Sequence, residues 1–183
     1  MKFQVHSISN APIESKPLLE AAQKKFGFVP NMLGVMAEAP ALLKAYLTIA
    51  DIFDSSTLSA TEKQIVALTV SAVNGCEYCV SAHTGIAGML QVPSDVVEAI
   101  REDKPIADKK LQSFRLLVAE IVGERGYPSE TTLKNFLSHG YNEKNYLEIL
   151  VGVGMKTLSN FTNHAALTPV DDAFKKVEWK KSL

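Results

Sequence analysis

Hydrophobic residues recur every three to four positions along most of the chain, as they do on the buried face of an α-helix. The broadest apolar belt lies between Ser59 and Val73, and its width indicates a helix at the centre of the fold. Ser59 and Glu62 have the spacing of a capping box, which marks the beginning of this helix. We find no run with the alternating pattern of a strand. The pattern therefore predicts an all-α protein.

Capping residues, prolines and glycines divide the pattern into successive helices. Asn31 is expected to cap a short apolar helix that continues to about Ala39. Gly152 and Gly154 in the last long helix are expected to allow another helix to approach closely. We expect helices to begin at or next to Ser15, Asn31, Pro40, Ser59, Cys76, Pro93, Asp108, Ser129 and Asn142.

The length suits a single domain over residues 1–183. Residues 1–14 form an N-terminal extension in this interpretation, and residues 169–183 form a C-terminal arm. Phe174 and Trp179 of the arm are expected to cover the chain's own core, with docking on a neighbouring subunit as the alternative.

Composition narrows the possible partners and compartment. Nineteen basic and twenty acidic residues give a formal net charge of −1, which does not favour nucleic acid or an anionic membrane as a partner. No apolar run reaches membrane-spanning length, and the N-terminus lacks the apolar segment of a signal peptide. We therefore expect the reducing cytoplasm, where a pair of thiols is more often catalytic or metal-binding than structural.

Both cysteines of the chain lie in one short motif, Cys76-x-x-Cys79, with His83 four residues further on. Asn74-Gly75 predicts a break before it, so that Cys76 begins a helix and Cys79 lies in its first turn. Unpaired N–H groups and the helix dipole favour thiolate at that position. Cys79 and His83 are expected to lie on one helix face within hydrogen-bonding range.

The expected gain from activating a thiol is large. A thiol with a pKa of about 8.5 is only about 3% ionised at pH 7, and a pKa about two units lower gives roughly 75% thiolate. Two alternatives compete with an activated nucleophile. The cysteines are small buried apolar residues in the first, and metal ligands together with His83 in the second. A closed zinc site needs a fourth ligand, for which the sequence offers only His164, so we predict no metal.

The chain also resembles the alkylhydroperoxidase AhpD/carboxymuconolactone decarboxylase-like family, from about Phe26 to Asp171. The resemblance lies in Leu58-Ser59-Ala60-Thr61-Glu62-Lys63, in Asn74-Gly75-Cys76-Glu77-Tyr78-Cys79 and in His83. Two further segments resemble the peroxidase-related branch, namely Phe26-Gly27-Phe28-Val29-Pro30-Asn31 and Asn160-Phe161-Thr162-Asn163-His164.

This resemblance implies an all-α fold, a homotrimer or homohexamer, and a redox-active dithiol that reduces peroxides. It implies that Cys79 is the attacking cysteine, Cys76 its disulfide partner and His83 the proton-relay histidine. The family's relay usually has a Glu twelve residues before the first cysteine, where this chain has Gln64. Gln64 therefore predicts a weakened relay and a higher thiolate pKa, unless Glu148 or Glu77 compensates.

A faint internal similarity adds a hypothesis about the fold. The last long helix can be aligned with the helix after Ser59, which places Glu148 opposite Gln64. Asn160 and Asn163 then fall opposite the two cysteines. The chain is a duplicated helical unit in this hypothesis.

The sequence thus favours a thiol-dependent hydroperoxide reductase without a bound cofactor. Its substrate is a peroxide, and an external dithiol restores the reduced state. Two alternatives remain. One is a carboxymuconolactone decarboxylase-like enzyme that uses His83 in acid–base catalysis. The other is a non-catalytic oligomeric binding or redox-sensing protein.

Overall fold

A computed structural model describes residues 2–181 of the protein, and within them the secondary structure is helical, with no β-strand. A short 3-10 helix, Asp172–Val177, follows the last α-helix. The α-helices are α1 (Lys16–Phe26), α2 (Asn31–Met36), α3 (Pro40–Asp54), α4 (Ala60–Val73), α5 (Glu77–Met89), α6 (Ser94–Arg101), α7 (Lys109–Gly123), α8 (Glu130–Ser138) and α9 (Glu143–Ala166). The all-α prediction is confirmed. Within residues 2–181, none of the helices combines the length and the hydrophobicity of a membrane span.

Helix α4 lies at the centre of the fold, as its broad apolar belt predicts. It packs against α5, α6, α7 and α9, and every residue from Gln64 to Ser71 is buried. The predicted capping box is present, since Ser59 Oγ accepts the Glu62 N–H while the Glu62 carboxylate accepts the Ser59 N–H. These bonds satisfy N–H groups that an α-helix leaves free at its start.

Gly152 lets α9 approach the core closely. A Cβ atom at this position would lie 2.7 Å from the Phe53 ring and 2.7 Å from Val66 Cγ1, so only glycine fits without a shift. Gly154 is different, because nothing lies within 4 Å of the Cβ that it would carry. The close approach predicted for this segment is therefore made at Gly152, to α3 and α4 of the same chain.

The start of α2 differs from the prediction. Asn31 is the first helical residue and Pro30 is the N-cap, because the Asp171 carboxylate accepts the Asn31 N–H at 2.9 Å. The C-terminal arm thus provides the cap that was expected from Asn31. The helix also ends at Met36 instead of Ala39, since turn hydrogen bonds replace helical ones immediately before α3.

The C-terminal arm covers the chain's own core as far as the structure describes it, to residue 181. Phe174 is buried and its ring lies against Gly85 of α5. The Trp179 indole N–H donates to the Arg101 carbonyl at 2.9 Å. Residues 182–183 of the predicted arm, and Met1 of the predicted N-terminal extension, lie outside the described residues.

The duplication hypothesis gains no support from the helix boundaries. Asn74, Gly75 and Cys76 separate α4 from α5, whereas α9 continues without a break through Asn160 and Asn163. The suggested second copy is therefore one uninterrupted helix, whereas the first copy consists of two helices. The two asparagines nevertheless lie beside the cysteines, as described below.

Candidate dithiol site

The two cysteines lie at the junction between α4 and α5. Gly75 adopts a positive φ of 68°, which lets the chain turn sharply after α4. Cys76 is the N-cap of α5, and Cys79 is the third residue of the helix. Both are free thiols and each is only 1% exposed. The break and the helix start predicted from Asn74-Gly75 are confirmed.

Helix α9 provides the polar surroundings of the sulfur atoms. The Asn163 amide donates to Cys79 Sγ at 3.2 Å, and its nitrogen lies 3.9 Å from Cys76 Sγ. Ser159 Oγ lies 3.7 Å from Cys79 Sγ. The Ser159 hydroxyl donates to the Lys156 carbonyl, so the Asn163 amide is the donor to the sulfur here. A donor of this kind favours a negative sulfur over a neutral one, so this side of the site suits a thiolate.

The pKa values of the two thiols are shifted in opposite directions. Burial alone would raise the pKa of Cys79, but a hydrogen bond from the Cys76 thiol, the charge of Lys156 and further hydrogen bonds hold that pKa well below its usual value. The hydrogen bond to Cys79, together with burial, raises the pKa of Cys76. These pKa shifts favour Cys79 as the thiolate of the pair and Cys76 as the thiol.

Lys156 is the positively charged side chain that acts on the Cys79 sulfur. Its side chain is only 1% exposed, on the face of α9 that meets α4 and α5. Burial would lower the pKa of Lys156, but the negative Cys79 sulfur raises it. A buried ammonium and a buried thiolate stabilise each other, since each alone would be costly to bury.

His83 contacts Lys156 and Gln64, and this corrects the expected pairing with Cys79. Its Nε2 lies 3.0 Å from Lys156 Nζ, and its Nδ1 lies 2.9 Å from Gln64 Oε1. An ammonium only donates and an amide oxygen only accepts, so the neutral ring carries its proton on Nδ1. Among the described residues, His83 makes no hydrogen bond to either sulfur.

The surroundings of His83 also keep its ring neutral. Burial and the charge of Lys156 lower the pKa of His83 well below its usual value. Gln64 is 7% exposed, and its amide oxygen finds its partner in the histidine, as a buried amide requires. The prediction that Gln64 gives a higher thiolate pKa than a Glu would give stays a prediction. Relative to an ordinary thiol, the hydrogen bond from Cys76 and the charge of Lys156 lower the pKa of Cys79.

Neither of the two carboxylates suggested as substitutes for the family's Glu reaches His83. The Glu148 carboxylate accepts hydrogen bonds from the backbone and hydroxyl of Thr57, at 3.0 and 2.7 Å. The Glu77 carboxylate pairs with Lys180 at 2.9 Å. Both acids belong to other contacts, so neither is placed to compensate for the Gln64 amide.

The metal interpretation receives no support from the side-chain positions. Within residues 2–181, no three His, Cys, Asp or Glu side chains are grouped so that they could hold a metal ion. His164, the suggested fourth ligand, is exposed and stacks near Phe161, whereas both sulfur atoms are buried.

Lys156 and the contact of Asn163 with Cys79 were not predicted from the sequence. A signal for Lys156 was present, because it is the only charged residue between Ile149 and Asn163 on a helix that is otherwise apolar or uncharged there. Charged residues are seldom fully buried unless they are paired. A single charge on a core-facing stripe therefore indicates a partner elsewhere in the fold.

Tyr78 connects the dithiol helix to the segments that cover it. Its hydroxyl donates a short hydrogen bond to Asp171 of the C-terminal arm and accepts the Met32 N–H of α2 at 3.3 Å. Burial and Asp171 raise the pKa of Tyr78. Because Tyr78 immediately precedes Cys79, this contact joins the cover of the site to the helix that carries the thiolate.

The fold and the site together define an AhpD-like helical protein with a buried dithiol. An uncharacterized peroxidase-related protein from Ralstonia eutropha JMP134, solved as an alkylhydroperoxidase AhpD core, has 20% identity and a TM-score of 0.78, covering 94% of this chain and 93% of its own. A peroxidase-related protein from Silicibacter sp. TM1040 has 22% identity and a TM-score of 0.76, covering 95% and 92%. The debrominase Bmp8 in its apo form has 18% identity and a TM-score of 0.75, covering 90% and 89%. At these identities the likeness concerns the fold.

The carboxymuconolactone decarboxylase family model matches residues 37–117, which include Gln64, Cys76, Cys79 and His83. A comparison with curated proteins gives no match. The family match and the AhpD-like structures confirm the resemblance drawn from the sequence.

Proposed function

We propose that the protein is a dithiol peroxidase in which Cys79 attacks a hydroperoxide and Cys76 resolves the product. The observation that carries this proposal is a pair of adjacent, buried free thiols of which Cys79 accepts a hydrogen bond from the Asn163 amide. A hydrogen bond from Cys76 and the charge of Lys156 lower the pKa of Cys79, whereas the bond to Cys79 and burial raise the pKa of Cys76. Thiolate is the reactive form of cysteine, and a neighbouring thiol is what a sulfenic acid needs to form a disulfide.

The first step oxidises Cys79. Its thiolate sulfur forms a bond to the terminal oxygen of the hydroperoxide, the O–O bond breaks, and the alkoxide or hydroxide leaves with the electron pair. The leaving oxygen takes a proton and becomes an alcohol or water. Cys79 is then a sulfenic acid, two electrons more oxidised than before.

Cys76 completes the cycle. Its sulfur attacks the Cys79 sulfenic sulfur, the S–O bond breaks, and water leaves with the thiol proton, which gives the disulfide. An external dithiol then restores both thiols by exchange and is itself oxidised. One helical turn separates the two residues, and this suits the short Cα–Cα distance that a disulfide requires.

Asn163 also supports a hydroperoxide as the substrate. While its amide nitrogen donates to Cys79, its buried Oδ1 has no hydrogen-bond partner among the described residues. The O–H group of a hydroperoxide can donate a hydrogen bond to this oxygen. That contact would place the peroxide oxygens close to the sulfur. The same side chain would then stabilise the nucleophile and orient the substrate.

A sulfur that is 1% exposed needs a local opening before it can meet a peroxide. The contact among Tyr78, Asp171 and Met32 joins three separate segments over the site, so we place the opening there. Movement of α2 and the C-terminal arm would expose Cys79 while the α4–α5–α9 framework stays intact.

The decarboxylase-like alternative has less support from the site. It requires a histidine free to exchange protons with substrate, whereas both ring nitrogens of His83 are engaged and burial lowers its pKa. A dithiol has no part in that chemistry.

Peroxide consumption with dithiothreitol as the reductant tests the proposal. The unmodified protein should consume many equivalents of hydrogen peroxide or an alkyl hydroperoxide per subunit. Cys79→Ser should consume none. Cys76→Ser should consume one equivalent in the absence of reductant and stop as a sulfenic acid that dimedone traps.

The variants also separate the alternatives. A single oxidation without turnover, despite excess dithiol, would favour the redox-sensing interpretation. Equal consumption by Cys79→Ser and the unmodified protein would refute the proposal. If dimedone traps a sulfenic acid at Cys76 in Cys79→Ser, and none at Cys79 in Cys76→Ser, the two assigned roles are reversed.

A further inference from the structure

We propose that Lys156 provides the second proton of peroxide reduction, and that it loses this proton when Cys76 and Cys79 become a disulfide. This inference rests on the proposed function for its chemistry. It concerns an equilibrium of the dithiol that can be measured without any peroxide. Lys156 is then the proton donor of the reaction, a role that the family resemblance implied for His83.

The surroundings of Lys156 carry the proposal. The side chain is 1% exposed, and its Nζ lies 3.0 Å from the neutral His83 ring. The groups that could hold negative charge and that act on it most strongly are Cys79, Tyr46 and Cys76. No Asp or Glu carboxylate in residues 2–181 forms an ion pair with it.

The other elements packed against α9 supply no permanent counter-charge. Helix α2 contains no titratable residue, and α4 contributes the neutral amide of Gln64. Helix α3 contributes Tyr46, whose pKa burial raises, so that it stays a neutral phenol, with Asp54 acting on it from the end of the helix. On α7, Arg115 is bound to Asp103 and to the Lys104 carbonyl.

Oxidation removes the charge that Lys156 depends on. In the reduced state, the Cys79 thiolate balances the buried ammonium. In the disulfide both sulfur atoms are neutral, and Lys156 would be an unpaired buried cation. Burying an unpaired charge is strongly unfavourable, and a buried group usually neutralises instead. Lys156 should therefore become a neutral amine as the disulfide forms.

The protons balance with this step included. Reducing a hydroperoxide to an alcohol and water takes two electrons and two protons. The electrons come from the two sulfur atoms as they form their bond. One proton comes from the Cys76 thiol, and the other comes from the Lys156 ammonium. On reduction by an external dithiol, the two protons released by that dithiol return to Cys76 and Lys156.

His83 then acts as a positioning residue. Its Nε2 accepts a hydrogen bond from Lys156, and its Nδ1 proton is held by Gln64 Oε1. An amide oxygen does not take up a proton near neutral pH, so the path through the ring ends at Gln64. The proton of Lys156 is thus directed towards the sulfur side of the site.

The test is the pH dependence of the equilibrium between the protein dithiol and a reference dithiol. It is measured from about pH 7 to 8.5, after correction for the reference. Thiolate absorbance at 240 nm must first show that Cys79 is ionised in this range. Release of two protons changes the reduction equilibrium constant hundredfold per pH unit, about 59 mV, whereas one proton gives tenfold, about 30 mV. We expect the hundredfold dependence.

Three variants assign the second proton. Lys156→Arg keeps a positive charge that cannot be lost, so it should show the tenfold dependence. Lys156→Met should show the tenfold dependence above its own, raised Cys79 pKa. Tyr46→Phe is the matched control, because it removes the other titratable neighbour, and it should keep the hundredfold dependence. Circular dichroism checks that each variant is folded. If Lys156→Arg is not folded, the result for Lys156→Met decides the source of the second proton.

Several results would overturn the inference. A tenfold dependence in the unmodified protein means that Lys156 keeps its proton in the disulfide. A hundredfold dependence in Lys156→Arg, or a tenfold one in Tyr46→Phe, means that the proton comes from another group. If Cys79 is not ionised in this pH range, there is no ion pair between Cys79 and Lys156, and the inference fails. Failure of peroxide consumption would contradict the proposed function and leave this measurement unaffected.

Discussion

Replacing Asn163 by alanine tests how strongly one hydrogen bond stabilises the thiolate. The amide donates to Cys79 Sγ at 3.2 Å in a buried site, and the variant removes this donor without changing any charge. A hydrogen bond to a charged group contributes about 1.5–3 kcal/mol. At about 1.4 kcal/mol per pKa unit, Asn163→Ala should raise the pKa of Cys79 by about one to two units.

The assay is the rate of alkylation by iodoacetamide as a function of pH, in the Cys76→Ser background so that only Cys79 reacts. The midpoint of the profile reports the pKa of Cys79, and it should move to higher pH. Thr162→Ala is the control, since the Thr162 hydroxyl bonds only to the Leu158 carbonyl of the same helix among its described partners. An unchanged midpoint in Asn163→Ala would show that the amide does not stabilise the thiolate.

Two further predictions concern the packing of α9 and the histidine. Gly152→Ala should lower the melting temperature by about 2–12 °C, because overpacking costs about 1–3 kcal/mol, whereas Gly154→Ala, in open space, should raise it by about 2–4 °C through helix propensity. Thermal unfolding followed by circular dichroism decides, and a loss of stability in both variants would contradict the assigned contact. Gln64→Glu should raise the pKa of His83, because a carboxylate would lie about where the amide oxygen now lies, 2.9 Å from Nδ1. An NMR titration of the ring in which the pKa stays constant would show that the two side chains do not interact.

Much of the fold could be predicted because local rules agree with the tertiary structure. Ser59, Asp108, Ser129 and Asn142 each cap the helix that their sequence context predicts. A cap is a contact within a few residues, so the sequence contains all the information it needs. Asn31 is the exception, and its reason is non-local, because the carboxylate that binds its N–H belongs to Asp171 at the other end of the chain.

The candidate site shows the same difference between local contacts, which could be predicted, and non-local contacts, which could not. Cys76 and Cys79 lie on one helix start, and their position there could be predicted from Asn74-Gly75 and the spacing. The contact of Gln64 with His83 joins two neighbouring helices and could be expected from the need of a buried amide for a partner. Lys156 could not be placed, because the approach of α9 to these helices depends on packing that no local pattern specifies.

The glutamine at position 64 and the lysine at position 156 are parts of one arrangement. A carboxylate at position 64 would add a permanent negative charge one histidine away from Lys156, and it would go on balancing the ammonium after the thiolate is lost. The neutral Gln64 leaves the thiolate as the counter-charge, so the charge of Lys156 depends on the redox state of the sulfur. The departure from the family's usual Glu is therefore the condition under which a buried lysine can release its proton on oxidation. In this arrangement the acid–base group acts from α9, and His83 and Gln64 hold it in place.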